Sequence, residues 1–386
     1  MNAARGLTRP ISRPASLSRR ALYGVLVAAA AISFGTHANL PDRKQRHAAP
    51  GTAFPDVAVS ASAPLPRLLS QTGLYEPGST TVIAVKNLEY TPQYALWSDG
   101  AKKRRWIQLP EGSAIDGARP DSWEFPPGTR FWKEFAFGER AETRFIERLA
   151  DGTYRYASYV WDATLGDAVL APEEGVPGVA AIADGVRHDI PSVTDCRACH
   201  EGRPTPVLGF NALQLSSDRD PLAPHAEAPP ANAVDLVELV RRGLLKNFPA
   251  TLVVHPPRIA ARAPAARAAA GYLFGNCAHC HNADGPLAPV GLDFDQSVVD
   301  PNGAGHLEAN VLGHPSRFIV PGATDSVRAA PGHPEQSAIY ARMSSRFPAA
   351  QMPPLGTRLV DAEGTRVVAQ WISASKSSQT RKETTK

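Results

Sequence analysis

The chain is poor in sulfur: 386 residues hold four cysteines and three methionines. All four cysteines fall within two pentapeptides, CRACH at 196–200 and CAHCH at 277–281. None is left over to staple the fold elsewhere, so a disulfide scaffold is not what they signal, even in an exported protein. Long apolar runs are lacking too. The run near the N-terminus, "ALYGVLVAAAAISF", has 14 residues, short of the roughly 20 that a membrane-spanning helix needs. Charge of one sign is also absent. The formal net charge is +4, but residues 1–38 hold five arginines and no acid, which leaves 36 basic against 37 acidic groups beyond Ala38. Such a balance supplies no polycation for nucleic acid. No solenoid-type repeat is visible; the one internal echo is the cysteine pentapeptide.

What is present begins with an export pattern. Arg5, Arg9, Arg13, Arg19 and Arg20 precede the apolar run, which leads to Thr36-His37-Ala38. Basic, apolar and small residues in that order describe a signal peptide over 1–38. The mature protein is expected in the periplasm without a stable membrane span; an uncleaved anchor is the alternative. Residues 39–64, rich in Pro, Ala and Ser, read as a linker, and 375–386 as a basic tail.

The rest predicts an α+β multidomain chain. Over 65–188 the texture is strand-like. "TRFIERLADGTYRYASYVWD" sets two alternating runs around Asp151-Gly152, a hairpin turn. "RRWIQLP" and "TRFWKEFAF" add aromatic and β-branched residues, and a β-sandwich-like domain is expected. From 189 the pattern changes to short helices between Pro/Gly loops. Residues 189–262 form a first region around CRACH, with an amphipathic helix over 233–247 that Asn232 is placed to cap. Residues 263–374 form a second region around CAHCH. There an Ala-rich helix over 263–276 runs into Cys277, and a last helix starts at Asp361 and stacks Val367 on Trp371 and Val368 on Ile372.

Cys-x-x-Cys-His is the attachment sequence of c-type haem. The two thiols add across the haem vinyl groups, and the adjacent imidazole ligates iron from below. Cys196 and Cys199 with His200, and Cys277 and Cys280 with His281, therefore predict two covalently attached haem c groups. Zinc is the first competitor, but a zinc ribbon joins its pairs through about 15 to 20 residues, whereas 77 separate Cys199 from Cys277. A thioredoxin-type dithiol is the second.

The second copy can be completed. Met352 lies 71 residues beyond His281 in "QMPPLG", where Pro353 and Pro354 stiffen a loop able to carry a thioether to iron. Gly271 is expected to let the first helix approach the last, and Phe274 to meet Trp371. The first copy has no methionine between His200 and Cys277. His188, His225, His255, Met343 or an open position all remain for its sixth site. Lys102, Lys103, Arg104 and Arg105 are the strongest basic cluster, suited to haem propionates, to an acidic partner or to an exposed strand edge. His279 reads as a spacer.

With these stretches in view, the chain resembles an exported bacterial family of di-haem c-type cytochromes with a β-rich N-terminal domain. The resemblance is carried by "ALWSDGAKKRRWIQLP", "WEFPPGTRFWKEF", "ETRFIERL", "IPSVTDCRACH", "LGFNALQL", "AGYLFGNCAHCHNADG", "PGHPEQSAIYARM" and "MPPLGTRLVDAEG", which together span about 70–372. It implies two covalent haems and a redox role. Three functions follow as expectations. The first is single-electron transfer between a redox donor and an acceptor protein, with no catalytic residue. The second is a peroxidase-like haem enzyme using an open first haem. The third is a binding module wired to the haems through the β domain.

Overall fold

The computed structural model describes residues 64–300, 302–323 and 326–375, all within one compact unit. The expected signal peptide, nearly all of the linker and all but the first residue of the basic tail lie outside the described residues. The strands before the first motif are β1 (Leu88–Glu89), β2 (Lys102–Gln108), β3 (Ile115–Asp116), β4 (Arg130–Phe137), β5 (Glu139–Arg148), β6 (Tyr154–Asp162), β7 (Asp167–Leu170), β8 (Val176–Ala183) and β9 (Val186–Ile190). There follow α1 (Val193–His200), α2 (Leu236–Arg241), β10 (Leu245–Lys246), α3 (Ala250–Val254), α4 (Pro264–Asn276), α5 (Ala304–Val311), α6 (Ala338–Met343) and α7 (Ala362–Ala374). The chain is thus α+β.

Six strands form one antiparallel sheet in the order β1-β2-β4-β5-β6-β7. The expected hairpin is present: Gly152 takes φ 83, and the Asp151 carboxylate accepts from the Thr153 amide at 2.9 Å. Alternation along the strands separates two faces. Trp106, Trp132, Phe145 and Ala157 stand in register across β2, β4, β5 and β6. They pack with Leu69, Leu74 and Tyr75 from the segment before β1. On the opposite face, Ile107 and Phe131 pack with Trp123, Phe125, Phe210 and Leu236. A sandwich would place a second sheet on that face. Here the cover is mainly loops and α2, because the segment after α1 supplies large apolar groups without strand alternation. β3 leaves the sheet and pairs in parallel with β10, and β8 and β9 form their own ribbon.

α2 is shorter than the expected 233–247 helix. Asp235, not Asn232, caps it by accepting from the Glu238 amide at 2.8 Å, and Gly243 at φ 69 follows its end. The third core lies between α4 and α7. α4 is buried from Ala266 to Phe274, and α7 contributes Val367, Val368, Trp371 and Ile372. Asp361 caps α7 as expected, accepting from the Gly364 amide at 2.9 Å. Phe274 and Trp371 share this core. The glycine that admits a close neighbour between the two helices is Gly364, where a methyl group would sit 2.2 Å from the Tyr272 ring. Gly271 serves another contact: a methyl group there would fall 1.9 Å from the Tyr94 ring.

Candidate functional site

CRACH closes α1. Ser192 opens that helix with a reciprocal cap: its Oγ accepts from the Asp195 amide, and the Asp195 carboxylate accepts from the Ser192 amide at 3.0 Å. His200 is then aimed by a single bond. Its Nδ1 donates to the Pro206 carbonyl at 2.6 Å, which leaves Nε2 with a lone pair. The Tyr156 ring of β6 lies 5.5 Å from the imidazole. Burial pushes His200 down to about 3, Lys133 and Arg144 of the sheet adding to the effect, so the ring is neutral at physiological pH. Cys196 lines a cavity of about 570 Å³ together with Tyr154, Tyr156, Ser158, Leu170 and Pro191.

CAHCH lies on the turn that follows α4. The Cys277 amide still bonds to the Leu273 carbonyl at 2.8 Å, and the His281 amide turns back to the Cys277 carbonyl at 2.9 Å. Phe294 meets the His281 ring edge-on at 5.7 Å. Burial, with His279 and Arg342, pushes His281 down to about 4. Its Nδ1 is buried and has no hydrogen-bond partner. Met352, half-buried, is tied to the same surroundings, since its amide donates to the carbonyl of that same Arg342 at 3.0 Å.

The two motifs meet each other, a juxtaposition that spacing along the chain does not reveal. The Cys199 and Cys280 thiols are in hydrogen-bond contact, and Cys280 Sγ also approaches the Ala198 carbonyl at 3.8 Å. Asn282 donates to the Gly202 carbonyl at 3.1 Å, and a methyl group on Gly202 would lie 2.3 Å from the His279 carbonyl. Arg203 grips Asp295 at 2.5 Å. His279, read from the sequence as a spacer, is buried at this seam.

The four residues that the sequence offered as a sixth ligand for a haem at the first motif have other surroundings. His188, 2% exposed, bonds Glu142 at 2.9 Å and faces Asp99 at 3.8 Å. Burial opposes its charge, but Asp99 and Glu142 outweigh that and hold it above its ordinary value. Both nitrogens of His225 face carboxylates, Asp361 at 2.8 Å and Glu363 at 3.3 Å. His255 is exposed at the end of α3, and Met343 is buried in the α4–α7 core. Of the basic cluster, Lys102 and Arg104 point outward, while Lys103 and Arg105 turn toward the first motif's side of the sheet. Lys133 and Arg144, in register with Arg105 on that side, had no motif to announce them.

The competing uses of cysteine can be tested on this geometry. Among the described residues, no group of three or more His, Cys, Asp or Glu is gathered closely enough to hold one ion. A reactive dithiol needs a thiol shifted toward thiolate. Here burial pushes Cys196 up to about 11 and Cys277 up to about 12, and the Cys280 contact with burial takes Cys199 to about 12. Only Cys280 is lowered, through its bond to Cys199. Both motifs fit a thioether-anchored haem on two counts: paired thiols, and a neutral imidazole with a ring nitrogen unclaimed. No family model, characterised protein or solved structure matches the chain.

Proposed function

We propose that this chain is an exported di-haem c-type cytochrome that passes single electrons between redox partner proteins, without a catalytic residue of its own. In this reading a β-rich domain built on one six-stranded sheet is followed by haem regions of cytochrome c type, and the arginine-led N-terminus directs the chain to the periplasm. Cys196 and Cys199 hold one haem over His200; Cys277 and Cys280 hold the other over His281. The haems supply one-electron iron chemistry. The protein holds each imidazole neutral, shields the pair from water and, through Met352, supplies a thioether to the second iron, a ligand set that raises the potential. The observation that carries the reading is the repeated Cys-x-x-Cys-His, each copy ending in a half-buried imidazole that its surroundings hold neutral.

A potentiometric titration of the purified holoprotein tests it. Two one-electron steps are expected. Met352→Ala should abolish the sulfur-to-iron charge-transfer band and lower one potential; an unchanged band removes Met352 from the ligand set, and a protein with no redox steps removes the proposal. The engagement of His188 and His225 with carboxylates favours one second reading, a peroxidase-like enzyme with an open first iron. A high-spin fraction and prompt cyanide or carbon monoxide binding would support that reading over electron transfer.

A further inference from the structure

The seam between CRACH and CAHCH is tied at several points. Asn282, 3% exposed, donates through its side-chain amide to the Ala278 carbonyl at 2.7 Å and, across the seam, to the Gly202 carbonyl at 3.1 Å. Its oxygen accepts from the Asp284 and Gly285 amides at 2.9 and 2.7 Å. Two glycines admit the approach. A methyl group on Gly202 would lie 2.3 Å from the His279 carbonyl, and one on Gly285 would lie 2.7 Å from the Gly202 carbonyl. Arg203, just past CRACH, pairs with Asp295 and lies 5.5 Å from the centre of the Phe274 ring on α4. The Cys280 sulfur ends 3.8 Å from the carbonyl of Ala198, the residue next to Cys199.

These contacts decide which parts of two attached haems meet. A thioether joins each cysteine sulfur to a former vinyl carbon at one porphyrin edge, opposite the edge that bears the propionates. Sulfurs that converge on one seam therefore bring the vinyl-derived edges together and turn the propionates away from each other. The seam is held by a buried amide, close backbone contacts and an ion pair, so its geometry is fixed by the chain and does not depend on the haems finding each other.

We propose that the seam sets the two haems thioether edge to thioether edge as one electron-transfer pair, with Asn282 as the positioning residue. An electron taken up at one iron then passes to the other inside the chain: the first returns to ferric as the second becomes ferrous, and no proton or further reactant takes part. The inference rests on the di-haem reading and adds that the two centres act together. The test is low-temperature electron paramagnetic resonance of the holoprotein, after the covalent haems have been counted by mass. In the fully oxidised protein the two ferric irons should split or broaden each other's signals, and the interaction should fall away as one iron per chain is reduced. Asn282→Leu withdraws the donor from the Gly202 and Ala278 carbonyls; it should keep both haems and the Met352 charge-transfer band but lose the splitting. Gly202→Ala, which wedges a methyl group against the His279 carbonyl, should weaken the splitting and serves where Asn282→Leu does not fold. Two haems with magnetically independent signals in the wild-type protein would overturn the pairing and leave the di-haem reading intact. An unaltered splitting in both variants would overturn the role of Asn282 and the seam. A wild-type chain without covalent haem would overturn the reading on which the inference stands.

Discussion

The two Cys-x-x-Cys-His segments are nearly the same in sequence and are held by different means. CRACH ends a short capped helix laid against a charged sheet face, and its histidine is oriented by the Pro206 carbonyl. CAHCH follows α4, whose stretch from Ala266 to Phe274 is buried, and its histidine is held by apolar packing, with a buried ring nitrogen left unbonded. The first site is therefore organised by polar partners and the second by a hydrophobic core. Polar organisation makes the first site sensitive to charge and pH, whereas core organisation makes the second sensitive to shape.

The largest expected effect tests the polar half of this contrast. Glu142 is fully buried between Arg144 and His188, so Glu142→Gln leaves Arg144 without its counter-charge and should cost about 3–5 kcal/mol in chemical denaturation. A loss below 1 kcal/mol would mean that the network does not organise the first site. Shape should matter next. Gly364→Ala drives a methyl group into the Tyr272 ring and should destabilise by about 1–3 kcal/mol; on the proposed ligation it should also perturb the spectrum of the haem assigned to CAHCH more than that of the one assigned to CRACH.

The pH dependence sharpens the contrast further. Burial works against the Glu142 charge, but Arg144 and His188 outweigh it and hold the carboxyl below its ordinary value. Its contribution is thus present above the ordinary carboxyl range and lost as pH falls through the depressed value. His188 is raised, so its contribution is full below about pH 6.5 and lost as pH rises through the folded value. Thermal melts of the holoprotein should show the alkaline loss, and His188→Gln should remove that limb alone; a variant retaining it assigns the loss elsewhere. The smallest effect belongs to the helix cap. Ser192→Ala should cost about 1 kcal/mol, read by denaturation, and should leave unchanged the spectrum of the haem proposed at CAHCH.

Much of this was legible in the residues. The aromatic residues of "TRFWKEFAF" and the loose alternation in "TRFIERLADGTYRYASYVWD" foretold strands where β4, β5 and β6 lie, and Asp151-Gly152 foretold the hairpin between the last two. The Asp361 cap and the Val367/Trp371 and Val368/Ile372 pairs foretold α7, because each is a local signal with a fixed period. What was not legible was long-range. Nothing near Gly271 announces Tyr94, and nothing near Cys199 announces Cys280. The 233–247 helix was overdrawn because its apolar positions continue past Gly243, where the backbone turns and Leu245 joins β3 instead. Lys133 could be placed on a sheet face by alternation, but its row with Arg105 and Arg144 depends on which strands flank it.

The central claim is that each Cys-x-x-Cys-His segment carries a thioether-bound iron porphyrin. Its most direct test is the intact mass of the denatured protein, purified from a host able to mature c-type cytochromes. Two porphyrins retained on one coloured polypeptide are expected. A colourless chain, or a mass lacking both additions, would contradict the account.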